Sequence, residues 1–326
     1  MSATLWIGLA VLVALIPLSY LVEALRPQPV RPQALSWAPG VTPQYVAVDG
    51  VTVRYIRTGS GPVLLLLHTL RTQLDIFQKV IPTLAGEFTV IAVDYPGHGW
   101  SDIPRVDYTP AFFTRFVAGF LEALKIEDAV VAGVSIGASI PLLLAADHNP
   151  RIRGVVSINP YDYGSYGVAR ANLVARILFS VAPIPILGET VMRLRNRLVE
   201  GAVFRGGVAS PAAIPPAFGE ELFVVGERPG YQTGFLNLIR HMPLWRQSRA
   251  RYGDIQLPVL LLYGDHDWSR PAERAANARD IPGARMVTVE HAGHFMPLDR
   301  PDAVIDHIRS FVRGLPRPLA GAASVK

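Results

Sequence analysis

The stretch Ala129-Val130-Val131-Ala132-Gly133-Val134-Ser135-Ile136-Gly137-Ala138, continued by Ser139-Ile140-Pro141-Leu142-Leu143-Leu144, decides how the chain is read. Its Val-rich first half is a continuous apolar run of strand length, and its second half reads as the start of a helix. Between them Gly133-Val134-Ser135-Ile136-Gly137 gives Gly-x-Ser-x-Gly in a strand-turn-helix setting, the pattern of a nucleophile elbow. A turn that sharp leaves no room for side chains two positions either side of the serine, hence glycine at 133 and 137. The helix that follows places N–H groups and the positive end of its dipole beside Ser135.

Outward from this point, apolar strands alternate with helices. Before it come a hairpin on Asp49-Gly50 (Tyr45 to Val48, then Val51 to Ile56), a strand over Pro62 to Leu67 and another over Phe88 to Val93. A helix is expected over Leu74 to Ala85, and a second from the cap Thr109-Pro110 to Leu124. After the elbow come the strands Gly154 to Asn159, Pro258 to Tyr263 and Arg285 to Val289, with helices over Pro271 to Arg279 and Pro301 to Val312. Continuous apolar strands separated by helices predict an α/β fold: a mostly parallel sheet covered by helices on both faces.

The alternation lapses between Pro160 and Leu257, a Pro-punctuated stretch with no strand of the core type. So long a gap inside an α/β domain predicts an inserted helical lid. From Ala169 to Arg251 it carries eleven Arg, no Lys and five Glu. The plain reading is a solvated surface; the sharper one is a face for anionic lipid headgroups or an acidic substrate.

Among the 326 residues there is no cysteine, which excludes disulfides, thiolate metal sites and a cysteine nucleophile. A net charge of +5 without a basic run or recognition motif gives no indication of nucleic-acid binding. Mean hydropathy is +0.28, raised by the N-terminus, where Leu5 to Val22 holds no charged residue. Some twenty helical residues at about 1.5 Å each match a bilayer core of roughly 30 Å. A transmembrane anchor over 1–25 is therefore expected, with a cleaved signal and a docking helix as the competing readings. Arg26 and Arg31 follow the span and nothing basic precedes it, which favours a cytoplasmic catalytic domain. The expected layout is anchor 1–25, Pro-rich linker 26–43, core 44–159, helical lid 160–257, core 258–313 and flexible tail 314–326.

Three chemically matched residue types stand just past strand ends, where parallel sheets place their sites. They are Ser135 at the elbow, the acidic pair in Gly264-Asp265-His266-Asp267, and the histidine of Gly293-His294-Phe295. A serine hydroxyl needs a base to take its proton, imidazole titrates near neutrality, and a carboxylate fixes the imidazole tautomer. With His68 ending the third strand and Asp94-Tyr95-Pro96-Gly97-His98-Gly99 after the fourth, the chain resembles the α/β-hydrolase family from about Gln44 to Arg313.

That resemblance implies Ser135 as nucleophile, Asp267 as acid and His294 as general base, with the backbone N–H groups of Leu70 and Ile136 as oxyanion hole. The family's Gly-Glu-x-Asp pattern selects Asp267 over Asp265, and Asp162 past the sixth strand is a lesser candidate. His98 is expected to order its turn and His68 to brace the oxyanion loop. His266 and His291 are read as bystanders. Relatives carry His-Gly where this chain has His68-Thr69-Leu70-Arg71, and Thr69 restricts the backbone beside the hole. Arg71 has two readings, a contact to a substrate carboxylate or an ion pair with Asp75 four residues on.

The reading that results is a serine hydrolase of a carboxylic ester, or of a C–C bond beside a ketone, with a small-molecule or lipid-like acyl substrate. Ser rather than Asp at the elbow argues against epoxide hydrolase and haloalkane dehalogenase chemistry. No cofactor is implied, and no grouping has metal-ligand spacing. The alternatives are a catalytically degenerate binding protein of the same fold, and acyl transfer to an acceptor other than water.

Overall fold

The computed structural model describes residues 3–163 and 167–316. Eight strands form one sheet: β1 (Gln44–Val48), β2 (Val51–Thr58), β3 (Val63–Leu67), β4 (Thr89–Val93), β5 (Ala129–Val134), β6 (Ile152–Ile158), β7 (Val259–Gly264) and β8 (Arg285–Val289). Their spatial order is β1-β2-β4-β3-β5-β6-β7-β8. β1 pairs with β2, and β2 with β4, antiparallel; every other pairing is parallel. The central strands are buried throughout, as β4, β5 and β7 show, which is why they read as continuous apolar runs.

Preceding the sheet is α1 (Ala3–Ala24). The helices on the sheet are α2 (Ile81–Leu84), α3 (Pro110–Ala123), α4 (Ile136–Ala146), α11 (Pro271–Asp280), α12 (Met296–Asp299) and α13 (Pro301–Gly314). Between β6 and β7 lie α5 (Leu173–Val181), α6 (Leu187–Arg193), α7 (Arg197–Arg205), α8 (Pro216–Gly226), α9 (Tyr231–Arg240) and α10 (Pro243–Ser248), with no strand among the described residues. The two faces of the sheet carry separate apolar cores. Phe113, Phe116, Val117 and Phe120 of α3 pack on one face, and Val304, Ile305 and Ile308 of α13 on the other.

Two expectations require correction. The helix expected over Leu74 to Ala85 is broken into a 3-10 turn (Leu74–Phe77) and the short α2. The cause is a buried charge cluster. Arg54 Nε donates to Asp94 Oδ2 and Nη2 to Asp75 Oδ2, both at 2.6 Å. Asp94 Oδ1 also accepts the Leu74 N–H at 2.8 Å, so side chain and sheet fix the backbone where helix bonds would have formed. Burial opposes the Arg54 charge, yet Asp94 and Asp75 outweigh it and raise its pKa. Gly99 permits this packing, since a Cβ there would lie 2.0 Å from Asp94 Oδ2.

The second correction concerns the N-terminus. Among the described residues no helix is long and apolar enough to cross a membrane, so the transmembrane anchor expected over 1–25 is not supported. The end of α1 is tied to protein. Ser19 is buried and its Oγ accepts from Arg193 Nη1 at 3.0 Å. The Arg193 guanidinium sits 3.8 Å over the Tyr20 ring. Glu23 pairs with Arg195 at 2.6 Å and Arg26 with Glu227 at 3.0 Å. In the segment that follows, Leu35 is buried and Trp37 Nε1 donates to Asp75 at 2.6 Å. The tail read as flexible lies, from residue 317, outside the described residues.

Candidate active site

Ser135 joins β5 to α4 in a left-handed conformation, φ 62°, the sharp turn that the flanking glycines allow. A Cβ at Gly133 would lie 1.9 Å from the Gly137 carbonyl oxygen, and one at Gly137 would lie 2.3 Å from those of Leu67 and His68. Either substitution forces backbone apart. The turn is pinned from the next strand: Ser135 N–H donates to Ile158 O at 3.0 Å, and Ser135 O accepts from Tyr161 N–H at 3.1 Å. Ile136 opens α4, and the first N–H groups of a helix have no partner within it.

His294 and Asp267 come from adjacent strand ends, past β8 and β7. His294 Nδ1 meets Asp267 Oδ1 at 2.6 Å, both side chains fully buried. Asp267 Oδ2 accepts from the Ser269 N–H at 2.9 Å and from its hydroxyl. Burial works against the Asp267 charge. The His294 charge and the donors from His294 and Ser269 outweigh it and hold Asp267 below the usual carboxylate range. An ionised Asp267 accepts hydrogen bonds only, so Nδ1 of His294 is the donor in this pair. Nε2 is buried and has no hydrogen-bond partner. Trp268 stacks flat on the imidazole.

Asn159, at the end of β6 with φ 48°, holds the two loops in register. Its Nδ2 donates to the carbonyls of Gly293 and His294, each at 3.0 Å, while Oδ1 accepts the Gly264 N–H at 2.9 Å. On the opposite side His68 links the segment after β3 to that after β4. Its Nε2 accepts the Tyr95 N–H at 3.1 Å, which leaves the proton on Nδ1 to donate to Thr69 O at 2.8 Å. Burial drives its pKa down to about 3, so the ring is neutral. His98 is neutral for the same reason, also about 3, and its Nδ1 lies 3.2 Å from Pro96 O inside its own turn.

Ser135 opens on a cavity of about 530 Å³, lined by Thr69, Leu70 and Arg71 on the sheet side and by residues of α5 to α9 above. The volume falls within the usual range for small-molecule sites. Phe179, Met192, Phe235, Trp268 and Phe295 make much of the wall apolar.

A sequence model described as the alpha/beta hydrolase family matches residues 64–307. The chain belongs to the α/β-hydrolase family. It is 33% identical over 282 residues to a 2-(acetamidomethylene)succinate hydrolase of Mesorhizobium japonicum, covering 82% of this chain and 94% of that one. An uncharacterized protein of Mycobacterium tuberculosis is 28% identical over 284 residues, 83% of this chain and 81% of that one. Among solved structures, Cfl2 from Burkholderia cenocepacia superposes with a TM-score of 0.77 at 24% identity, over 86% of this chain and 98% of that one.

Within this α/β hydrolase the other candidates fall into place differently. Asp265 lies on the surface side of its loop, where Oδ1 accepts the Ala292 N–H at 3.0 Å. Asp162 is buried away from His294, bonded to Tyr252 Oη at 2.7 Å and Asn277 Nδ2 at 2.9 Å. Arg71 does not pair with Asp75, which Arg54 holds; it reaches the helices above instead, bonding Glu200 and Gln232. Spacing gave no metal grouping, yet the neighbouring loops bring Asp265, His266 and His291 together with ligand atoms within 4.8 Å of one another. All three are exposed, and Asp265 Oδ1 accepts the Ala292 N–H. Asn159, Trp268 and Ser269 escaped the sequence reading because no motif marks them. The only signal was position, each directly beside a strand end or a motif residue.

Proposed function

We propose that this chain is a serine hydrolase of carboxylic esters, or of a C–C bond beside a ketone, working through Ser135, His294 and Asp267. The observation that carries the reading is the buried His294–Asp267 pair, whose second imidazole nitrogen, Nε2, has no partner of its own, in a site whose cavity wall includes Ser135. Ser135 Oγ attacks the acyl carbon as Nε2 takes its proton, and Asp267 supports the imidazolium on the Nδ1 side. The N–H groups of Leu70 and Ile136 receive the oxyanion. Collapse expels the leaving group with the proton from Nε2. Water then attacks the acyl-enzyme with the same nitrogen as base, releasing the acid and restoring Ser135.

The helices α5 to α10 serve as a lid whose apolar wall sets the size of a small-molecule or lipid-like acyl group. The Mesorhizobium relative, named for hydrolysis, supports water as the acceptor. The test is a fluorophosphonate probe on the full chain beside Ser135→Ala. Labelling of the parent alone, followed by turnover of short-chain aryl esters, is expected. Absence of labelling in a folded parent overturns the reading in favour of a binding protein. Product formation only with an added alcohol acceptor would assign acyl transfer instead.

A further inference from the structure

Arg71 follows directly on Leu70, and both line the cavity that contains Ser135. Its backbone is left-handed, φ 53°, a conformation that a non-glycine residue keeps only when its surroundings hold it there. The side chain is held as firmly. Nη1 donates to Gln232 Oε1 at 3.0 Å and Nη2 to Glu200 Oε1, with the Phe235 and Tyr231 rings 5.1 and 5.7 Å away. Gly226 makes the room, since a Cβ there would stand 3.2 Å from Nη2.

The same cavity is lined by Arg195, Arg197 and Arg205, against only Glu200 and Glu220 as acids. Arg197 and Glu220 neutralise each other. Arg195 is buried and answered by Glu23 of α1, which does not line the cavity. Burial first, then the nearby Arg26 and Arg71 charges, lower the Arg195 pKa, so the two guanidinium groups feel one another. The lining thus holds four arginines against two glutamates. Keeping cations in a largely apolar chamber is costly, and a neutral acyl chain draws nothing from them.

We infer that Arg71 is a carboxylate subsite: the substrate carries, besides the scissile acyl bond, a carboxylate that replaces Glu200 on the Arg71 fork. This rests on the serine hydrolase reading above and adds to it the class of substrate. The guanidinium matches a carboxylate bidentately, and Gln232 keeps it aimed during the exchange. Glu200 sits on α7 of the lid with its side chain 18% exposed, so it leaves toward solvent as the lid adjusts. The carboxylate is a spectator: hydrolysis consumes one water, forms the acid at the acyl carbon and releases the alcohol.

The test compares kcat/KM for mono-4-nitrophenyl glutarate and 4-nitrophenyl hexanoate in the full chain, Arg71→Met, Arg71→Lys and Glu200→Gln. Fluorophosphonate labelling is run on each. The parent should favour the anionic ester by ~10-fold or more, as expected where a site is built for a polar group. Arg71→Met should lower that preference ratio by ~30-fold or more, Arg71→Lys should retain part of it, and Glu200→Gln should raise it. Free glutarate should slow labelling of the parent, a readout that needs no variant to fold. A parent that labels but shows neither anionic preference nor glutarate protection overturns the subsite and leaves the hydrolase reading standing. A folded parent that does not label overturns both.

Discussion

The indole of Trp268 lies on the imidazole of His294 with ring centroids 3.8 Å apart and planes 15° from parallel. Trp268 is itself anchored, its Nε1 donating to Gly206 O at 2.8 Å in the helical layer. Asp267 fixes one edge of the proposed base and Trp268 one face, so the ring has little freedom to turn. Trp268→Ala removes the second restraint. Misplacing a catalytic group by about an ångström costs on the order of 100-fold, so kcat on an aryl ester should fall ~10–100-fold. Trp268→Phe should recover most of it. Steady-state kinetics on variants shown folded by circular dichroism decide the matter, and an unchanged kcat in Trp268→Ala removes the positioning role.

Asn159 ties Gly264, at the end of the strand that leads to Asp267, to the carbonyls of Gly293 and His294. Both of its polar ends are used and buried, so Asn159→Asp puts a carboxylate where two carbonyl oxygens need a donor. Leaving such groups unpaired costs about 1–3 kcal/mol each. The expected result is a loss of ~2–4 kcal/mol in urea denaturation, with kcat falling more than KM rises. Asn159→Ala should be milder on stability because it adds no charge. Equal stability of Asn159→Asp and the parent contradicts the assignment.

What the sequence made legible follows from periodicity and sterics. Buried parallel strands must be apolar on both faces, so every strand from β3 to β7 could be placed within a residue or two. Gly133 and Gly137 announce the elbow because no other residue fits beside their neighbours' carbonyls. Long-range pairing was not legible. Helix spacing offered Asp75 as one of two partners for Arg71, but Asp75 is held by Arg54 across 21 residues and Arg71 by Glu200 across 129. The helix over 74–85 failed for the same reason, because the local pattern does not show that Asp75 and Leu74 serve a buried charge cluster. The apolar N-terminus matched a bilayer span by length, while the ion pairs of Glu23 and Arg26 with distant residues of the helices between β6 and β7 left no trace in local sequence.

Two histidines should make the fold sensitive to mild acid. His68 and His98 are neutral in the native state, with pKa about 3 against 6.5 for an ordinary imidazole. Above about pH 6.5 neither the folded nor the unfolded chain protonates them, and they contribute no pH dependence. As pH falls below that value the unfolded chain takes up the protons and the folded one does not, so stability is lost. The limiting slope is about 1.4 kcal/mol per pH unit for each ring. Asp267, with its lowered pKa, stabilises the fold above the unfolded carboxylate value and loses this only at lower pH. Urea titrations at near-neutral and mildly acid pH should show this decline, and His98→Asn should reduce its slope by one ring's share. A flat profile between neutrality and about pH 5 is the result that contradicts buried neutral rings.

Arg195 offers the clearest test of what α1 contributes. Its side chain is 2% exposed and its charge is met by Glu23 at 2.6 Å, the last charged residue of α1. Removing one partner of a buried pair strands the other, whereas replacing both removes the problem. Glu23 is 30% exposed, so solvent screens part of the loss. Glu23→Ala should therefore cost ~1–2 kcal/mol rather than the full penalty of a buried pair, seen as a lower Tm and faster proteolysis between α5 and α10. Glu23→Ala combined with Arg195→Met should recover most of the loss, because no uncompensated cation remains. If the double variant is as unstable as Glu23→Ala alone, the pair is not what fastens α1 to the helices between β6 and β7.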